Sequence, residues 1–179
     1  MKVWDRFVRV AHWVLAACVL AAWLTGEIKS KPGQRLHEWC GYIVLAVIAV
    51  RLVWGWTGTR YARFAQFISR PSRTLEYARA VLRRAEPRYL GHNPLGGWMI
   101  LALLLMAALA SLSGWLSITD RYWGVAWVQE THEALSNALI ALVGLHIAGV
   151  VFTSVREREN LVAAMFSGRK RPPGPGDVA

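Results

Sequence analysis

Four stretches of about 20 predominantly apolar residues, at about 8–26, 38–57, 96–117 and 133–154, decide what this chain can fold into. A helix of that length crosses the hydrocarbon core of a bilayer while keeping its backbone hydrogen bonds within the segment. The composition agrees: of 179 residues, 55% are hydrophobic and only 18% charged, which makes a soluble domain the weaker reading. The expected fold is all-α, an integral membrane four-helix bundle. The aqueous connections are short except for about 40 residues between the second and third spans, so residues 1–171 read as a single membrane domain. No internal repeat stands out, and 172–179, at the end of a Pro- and Gly-rich tail, reads as disordered.

The net charge of +10 would suit a nucleic-acid partner, but its distribution points to topology. Sixteen basic residues fall in three segments: Lys2, Arg6 and Arg9; Arg60, Arg63, Arg70, Arg73, Arg79, Arg83, Arg84 and Arg88; and Arg156, Arg158, Arg169, Lys170 and Arg171. The intervening loops carry only Lys29, Lys31, Arg35 and Arg121. The positive-inside rule then puts both termini and the middle loop in the cytoplasm, as a multi-pass protein of a bacterial inner membrane with no nucleic-acid role. Within the middle loop, FAQFI and LEYARAVLRRA mix apolar and basic faces, as an amphipathic segment meeting anionic membrane lipid would. Leu15 to Cys18 imitates a lipoprotein cleavage box, yet the apolar run continues through Trp23, as in a retained span. Cys18 and Cys40 form no CxxC pattern and read as packing residues.

Histidines carry the functional signal. His132 and His146 in the fourth span are fourteen residues apart, nearly four turns, so both face the same way at levels about 21 Å apart along the axis. The second and fourth spans run in the same direction, which brings His37 to the level of His132. His12, inside the first span, matches His146. Two level pairs, one near each membrane face, are what bis-histidine ligation of two haem irons requires. A catalytic zinc would recruit a third ligand, and His132-Glu133 is not followed by the second histidine of HExxH. Copper would favour Cys or Met beside the histidines, and only Cys40 is close in sequence.

Several neighbours join this pattern. Gly41 lies one turn after His37, and Gly144 and Gly149 flank His146, where a flat macrocycle would approach the backbone. Arg51, fourteen residues after His37, has two readings: a charge-assisted bond to a propionate of the cytoplasmic-side haem, or snorkelling to the headgroups. Asn93 and Pro94 are suited to cap and open the third span, which leaves His92 before the helix as a loop group. The third span offers no ligand and reads as scaffold. Tyr122, Trp123 and Trp127, between the third and fourth spans, suit either a periplasmic docking surface or a lipid-facing belt.

VWDRFVRVAHW, LHEWCGYIVLAVIAVRLVWGWTGTRYARF, YLGHNPLGGWM, THEALSNALIALVGLHIAGV and RENLVAAMFSGRKR together resemble the bacterial cytochrome b561 and nickel–iron-hydrogenase cytochrome b family, over about residues 3 to 171. The resemblance implies a diheme membrane cytochrome with two haem b groups, ligated by His37 and His132 on the periplasmic side and by His12 and His146 on the cytoplasmic side. It implies transmembrane electron transfer between a periplasmic redox partner, such as a c-type cytochrome, and membrane quinone or another membrane acceptor. Family members that oxidise superoxide and reduce ubiquinone, and those that serve as cytochrome b subunits of a hydrogenase or dehydrogenase, supply the alternatives. The chain lacks the fifth helix of some hydrogenase and dehydrogenase cytochrome subunits, which weighs against a dedicated subunit role; an electron-transfer cytochrome is expected over a self-contained enzyme.

Overall fold

The computed structural model describes residues 1–28 and 30–178. Lys29, counted above among the sparse basic residues, and Ala179, the last residue of the tail, lie outside the described residues. Four long helices hold the apolar windows: α1 (Arg6–Thr25), α2 (Lys31–Thr57), α5 (Pro94–Ser117) and α6 (Ala126–Arg156). Between α2 and α5 come a single 3-10 turn, Arg60–Ala62, then α3 (Phe64–Phe67) and α4 (Pro71–Leu82). α7 (Leu161–Ser167) follows α6. No helix-to-strand mixture appears among the described residues; their only β pairings are two isolated bridges.

Two helices begin well before their apolar windows, and local chemistry explains both. Ser30 precedes α2 and its Oγ receives the Gly33 N–H at 3.4 Å, while Pro32 occupies the first turn, where a missing N–H costs nothing. α6 follows Gly124, whose φ of +75° ends the preceding turn, and its first two turns expose Gln129, Glu130 and Thr131. Hydropathy does not see such polar helix ends. His37 and His132 each come six residues after the first residue of their helix, rather than at its edge.

The chain divides into two compact units, to both of which the four long helices contribute. One comprises Met1–Arg9, Val53–Leu101 and Leu145–Ala179, the other Val10–Leu52 and Ala102–Gly144. The first unit gathers all three basic segments, with sixteen of the 21 Lys and Arg and six of the 11 acidic residues, so it holds the entire +10 excess. Its termini pair: Val3 and Trp4 N–H donate to the Gly168 carbonyl, and the Lys170 N–H to the Met1 carbonyl at 2.9 Å. Asp5 caps α1 through the Val8 N–H at 2.8 Å and also accepts from Trp54 Nε1 and Thr59 Oγ1. Asn93 caps α5 by accepting from the Gly96 N–H at 2.7 Å, and Pro94 opens the helix, as expected.

Arg88 anchors the end of the chain. Its guanidinium meets Glu159 at 3.0 Å and Asp177, and Glu159 also accepts from the Arg171 N–H. The segment 172–178, expected to be disordered, is thereby fastened at its far end, where the Leu90 N–H donates to the Val178 carbonyl and the Val178 N–H to the Arg88 carbonyl. Composition could not anticipate this, because the fastening residues lie in the middle loop and at the α6–α7 junction. Burial pushes the Glu157 carboxyl up and the Lys170 ammonium down. For Glu159, burial works upward, but bonds from Arg171 and Arg88 outweigh it and hold the carboxyl low.

The middle loop is only partly a surface element. Phe64 and Phe67 are buried against each other, centroids 5.7 Å apart, so FAQFI turns inward. α4 is the amphipathic piece: it buries Tyr77 and exposes Leu75, Leu82, Arg73 and Arg79.

The second unit is built around Val44 and Ile48 of α2, Ala107 and Ala110 of α5 and Leu139 of α6, with Leu15, Cys18 and Val19 of α1 packed against them. On α2, Cys40, Val44, Ile48 and Arg51 are buried at helical spacing, a stripe that continues one turn further to His37. On α6 the series Val128, His132, Leu135, Leu139 behaves alike.

Candidate functional site

His37 and His132 meet within the second unit. Their ring centroids lie 6.0 Å apart with the planes at 86°. Each ring is held by a helix other than its own. His37 Nδ1 lies 2.8 Å from the Ala22 carbonyl of α1, and His132 Nδ1 lies 2.9 Å from the Ala110 carbonyl and 3.2 Å from Ser113 Oγ of α5. A carbonyl only accepts, so both histidines carry their proton on Nδ1. Nε2 is left as the lone-pair nitrogen on each ring, the form a metal ligand needs.

The spacing suits one metal ion between the two rings. A metal–imidazole nitrogen bond is about 2 Å and the ring centre lies about 1 Å behind that nitrogen, so two axial imidazoles stand about 6 Å apart centre to centre. The observed 6.0 Å agrees. Among the described residues no group of three or more His, Cys, Asp or Glu side chains gathers. A Cβ built on Gly41, one turn from His37, meets no atom within 4 Å, so the backbone beside the pair is open to a flat group.

The other candidates take different places. His12 belongs to the second unit and stacks edge-on to Trp13 at 4.9 Å; His146 belongs to the first. Arg51 is only 7% exposed, packed within protein, a position unlike that of a snorkelling side chain. Gly144 and Gly149, like Gly41, have no atom within 4 Å of a built Cβ. His92 packs between Trp4 and Phe67, with centroids at 4.4 and 5.0 Å, and is a loop group of the first unit. Trp123 and Trp127 are exposed, and Tyr122 lies against Trp127 and under Arg121.

Sequence reading missed the seats. It could not name Ala22 or Ala110, because main-chain acceptors leave no signature in residue identity, and it did not connect Ser113 with His132. It also passed α5 over as scaffold. Gly114 was a usable signal: a Cβ there would lie 2.8 Å from His132 Cε1, so only glycine admits the ring.

A multi-pass helical membrane protein with a tautomer-fixed pair of neighbouring histidines on two helices fits the architecture of a b-type cytochrome. The chain belongs to the prokaryotic cytochrome b561 family, whose model matches residues 3–168. It is 24% identical to a "Probable Ni/Fe-hydrogenase B-type cytochrome subunit" of Bradyrhizobium diazoefficiens, over 94% of this chain and 85% of that one. It is 25% identical to a protein of the same name from Rhodobacter capsulatus (94% and 80%), and 24% to one from Rhizobium leguminosarum bv. viciae (94% and 87%). No solved structure matches the chain. The family makes this a membrane electron-transfer cytochrome and implies haem b.

Proposed function

We propose that the chain carries electrons across a bacterial cytoplasmic membrane through two bis-histidine haem b sites, between a periplasmic redox protein and quinone or another membrane acceptor. The observation that carries this reading is the His37–His132 pair, with ring centroids 6.0 Å apart and each Nδ1 tied to a neighbouring helix. When bound, haem b would supply one-electron exchange, with histidines of this chain as the residues that would hold it. The chain's own residues then hold and orient. His37 and His132 fix the outer site. The sequence spacing supports His12 and His146 as the ligands of the inner one, with Arg51 offering its guanidinium to a propionate. The sixteen basic residues of the first unit support a cytoplasmic position for both termini, by the positive-inside rule.

The test is a reduced-minus-oxidised spectrum of the purified protein with a haem determination. Two b-type haems per chain are expected, and a chain without a b-type α band overturns the proposal. A second reading, a subunit passing electrons from a hydrogenase, is favoured by the names of the relatives. It predicts hydrogen-dependent haem reduction in membranes from the native host and none after removal of the hydrogenase.

A further inference from the structure

The two histidines of the outer pair sit on unequal seats. Behind His37 stands one acceptor, the Ala22 carbonyl at 2.8 Å. A Cβ added at the nearest glycine, Gly26, would come no closer than 3.8 Å to the ring, an ordinary contact. Behind His132 stand two acceptors, the Ala110 carbonyl at 2.9 Å and Ser113 Oγ at 3.2 Å. Ser113 is only 7% exposed, and its hydroxyl donates to the same Ala110 carbonyl at 2.9 Å, which fixes its lone pairs toward the Nδ1–H. The His132 ring also lies against Gly114 so closely that a Cβ would be 2.8 Å from Cε1 and 3.1 Å from Nδ1.

These distances have chemical consequences. An acceptor on the Nδ1–H shifts electron density toward Nε2 and makes the imidazole a stronger donor to a metal. Stronger donation favours the more highly charged, oxidised metal and lowers the reduction potential of the site. The plane of the ring is set by what lies against it, and the angle between two axial ring planes governs the orbital splitting of a low-spin ferric haem, which electron paramagnetic resonance reads directly.

The geometry points to α5, which supplies no ligand, as the element that tunes the outer haem: Ser113 and Gly114 are positioning residues that set the donor strength and ring plane of His132. This rests on the proposed haem ligation by His37 and His132, and it assigns the third span a role that neither its apolar sequence nor its lack of ligands suggests.

Redox titration and electron paramagnetic resonance of the haem-loaded protein test it. Ser113→Ala is expected to move the outer haem to a higher potential and leave the inner one unchanged, while Ser113→Thr, which keeps the hydroxyl, restores the wild-type value. Gly114→Ala is expected to change the ferric signal of the outer haem or release that haem alone. Gly26→Ala, where the added methyl finds room, should change neither signal. If Gly114→Ala does not accumulate in the membrane, Ser113→Ala decides. Wild-type potentials in Ser113→Ala, or equal shifts in both haems, overturn the inference. Absence of b-type haem from the wild-type protein would instead overturn the underlying ligation, a failure visible before any variant is made.

Discussion

The planes of His37 and His132 stand nearly perpendicular, at 86°, and each is restrained by a different helix: α1 holds the first through Ala22 and α5 the second through Ala110 and Ser113. If the two serve as the proposed haem ligands, they are lost as a unit. Replacing either histidine by alanine leaves one imidazole and no opposed partner.

His37→Ala and His132→Ala are therefore expected to remove the same spectral component and retain most of the other, while His12→Ala and His146→Ala do the reverse. Haem content and difference spectra of the four variants check this. Loss of the same component in His12→Ala and His132→Ala would break the pairing.

Much of this site could be read in the sequence because helical periodicity converts spacing into direction. His37 to Arg51 and His132 to His146 keep one interval, and the buried stripe of α2 through Cys40, Val44 and Ile48 shows that the interval follows the inward face. What stayed hidden depends on contacts between segments far apart in the chain. The Ala22 and Ala110 carbonyls are chemically like every other main-chain acceptor. The inward turn of Phe64 and Phe67 is set by Trp56 and His92, which precede and follow them. The fastening of 172–178 depends on Arg88, some 90 positions earlier.

Gly41 separates haem fit from protein stability. A Cβ built there meets no protein atom within 4 Å, so Gly41→Phe is expected to fold and insert, with a glycine-to-larger substitution also favouring the helix. On the same face and one turn from His37, the ring would occupy the space a macrocycle needs. The expected result is unchanged accumulation in the membrane with the outer haem reduced or absent. Full haem content would show that the macrocycle lies elsewhere.

Arg88→Ala tests the fastening of the chain end. The arginine side chain is 12% exposed and faces Glu159 and Asp177, 6% and 11% exposed. Removing it strands Glu159 in a buried position, a loss of about 3–5 kcal/mol in comparable cases. Lys170, at 3.9 Å from Glu159, offsets part of this. Faster proteolysis after Arg169 or Lys170 and a lower thermal midpoint are expected. Glu159→Gln in the Arg88→Ala background should recover part of the stability by removing the stranded charge.

Asp5 gives the clearest pH dependence outside the spans. Burial by itself would raise its pKa, but bonds from Thr59, Trp54 and the Val8 and Phe7 backbone outweigh burial and hold the carboxyl below its ordinary value. A group whose folded pKa lies below its unfolded one stabilises the protein above the unfolded pKa, here near 3.8, and that contribution fades as pH falls through the folded value. Asp5→Asn retains the shape of the cap but not the charge, and Asp5→Ala removes both, at a cost of about 1–2 kcal/mol for the lost cap alone. The difference in thermal midpoint between wild type and Asp5→Asn should therefore be constant from neutral pH down to about pH 5 and shrink below pH 4. A difference that stays constant to pH 3 would mean that the hydrogen-bond geometry, and not the charge, ties α1 to Trp54 and Thr59.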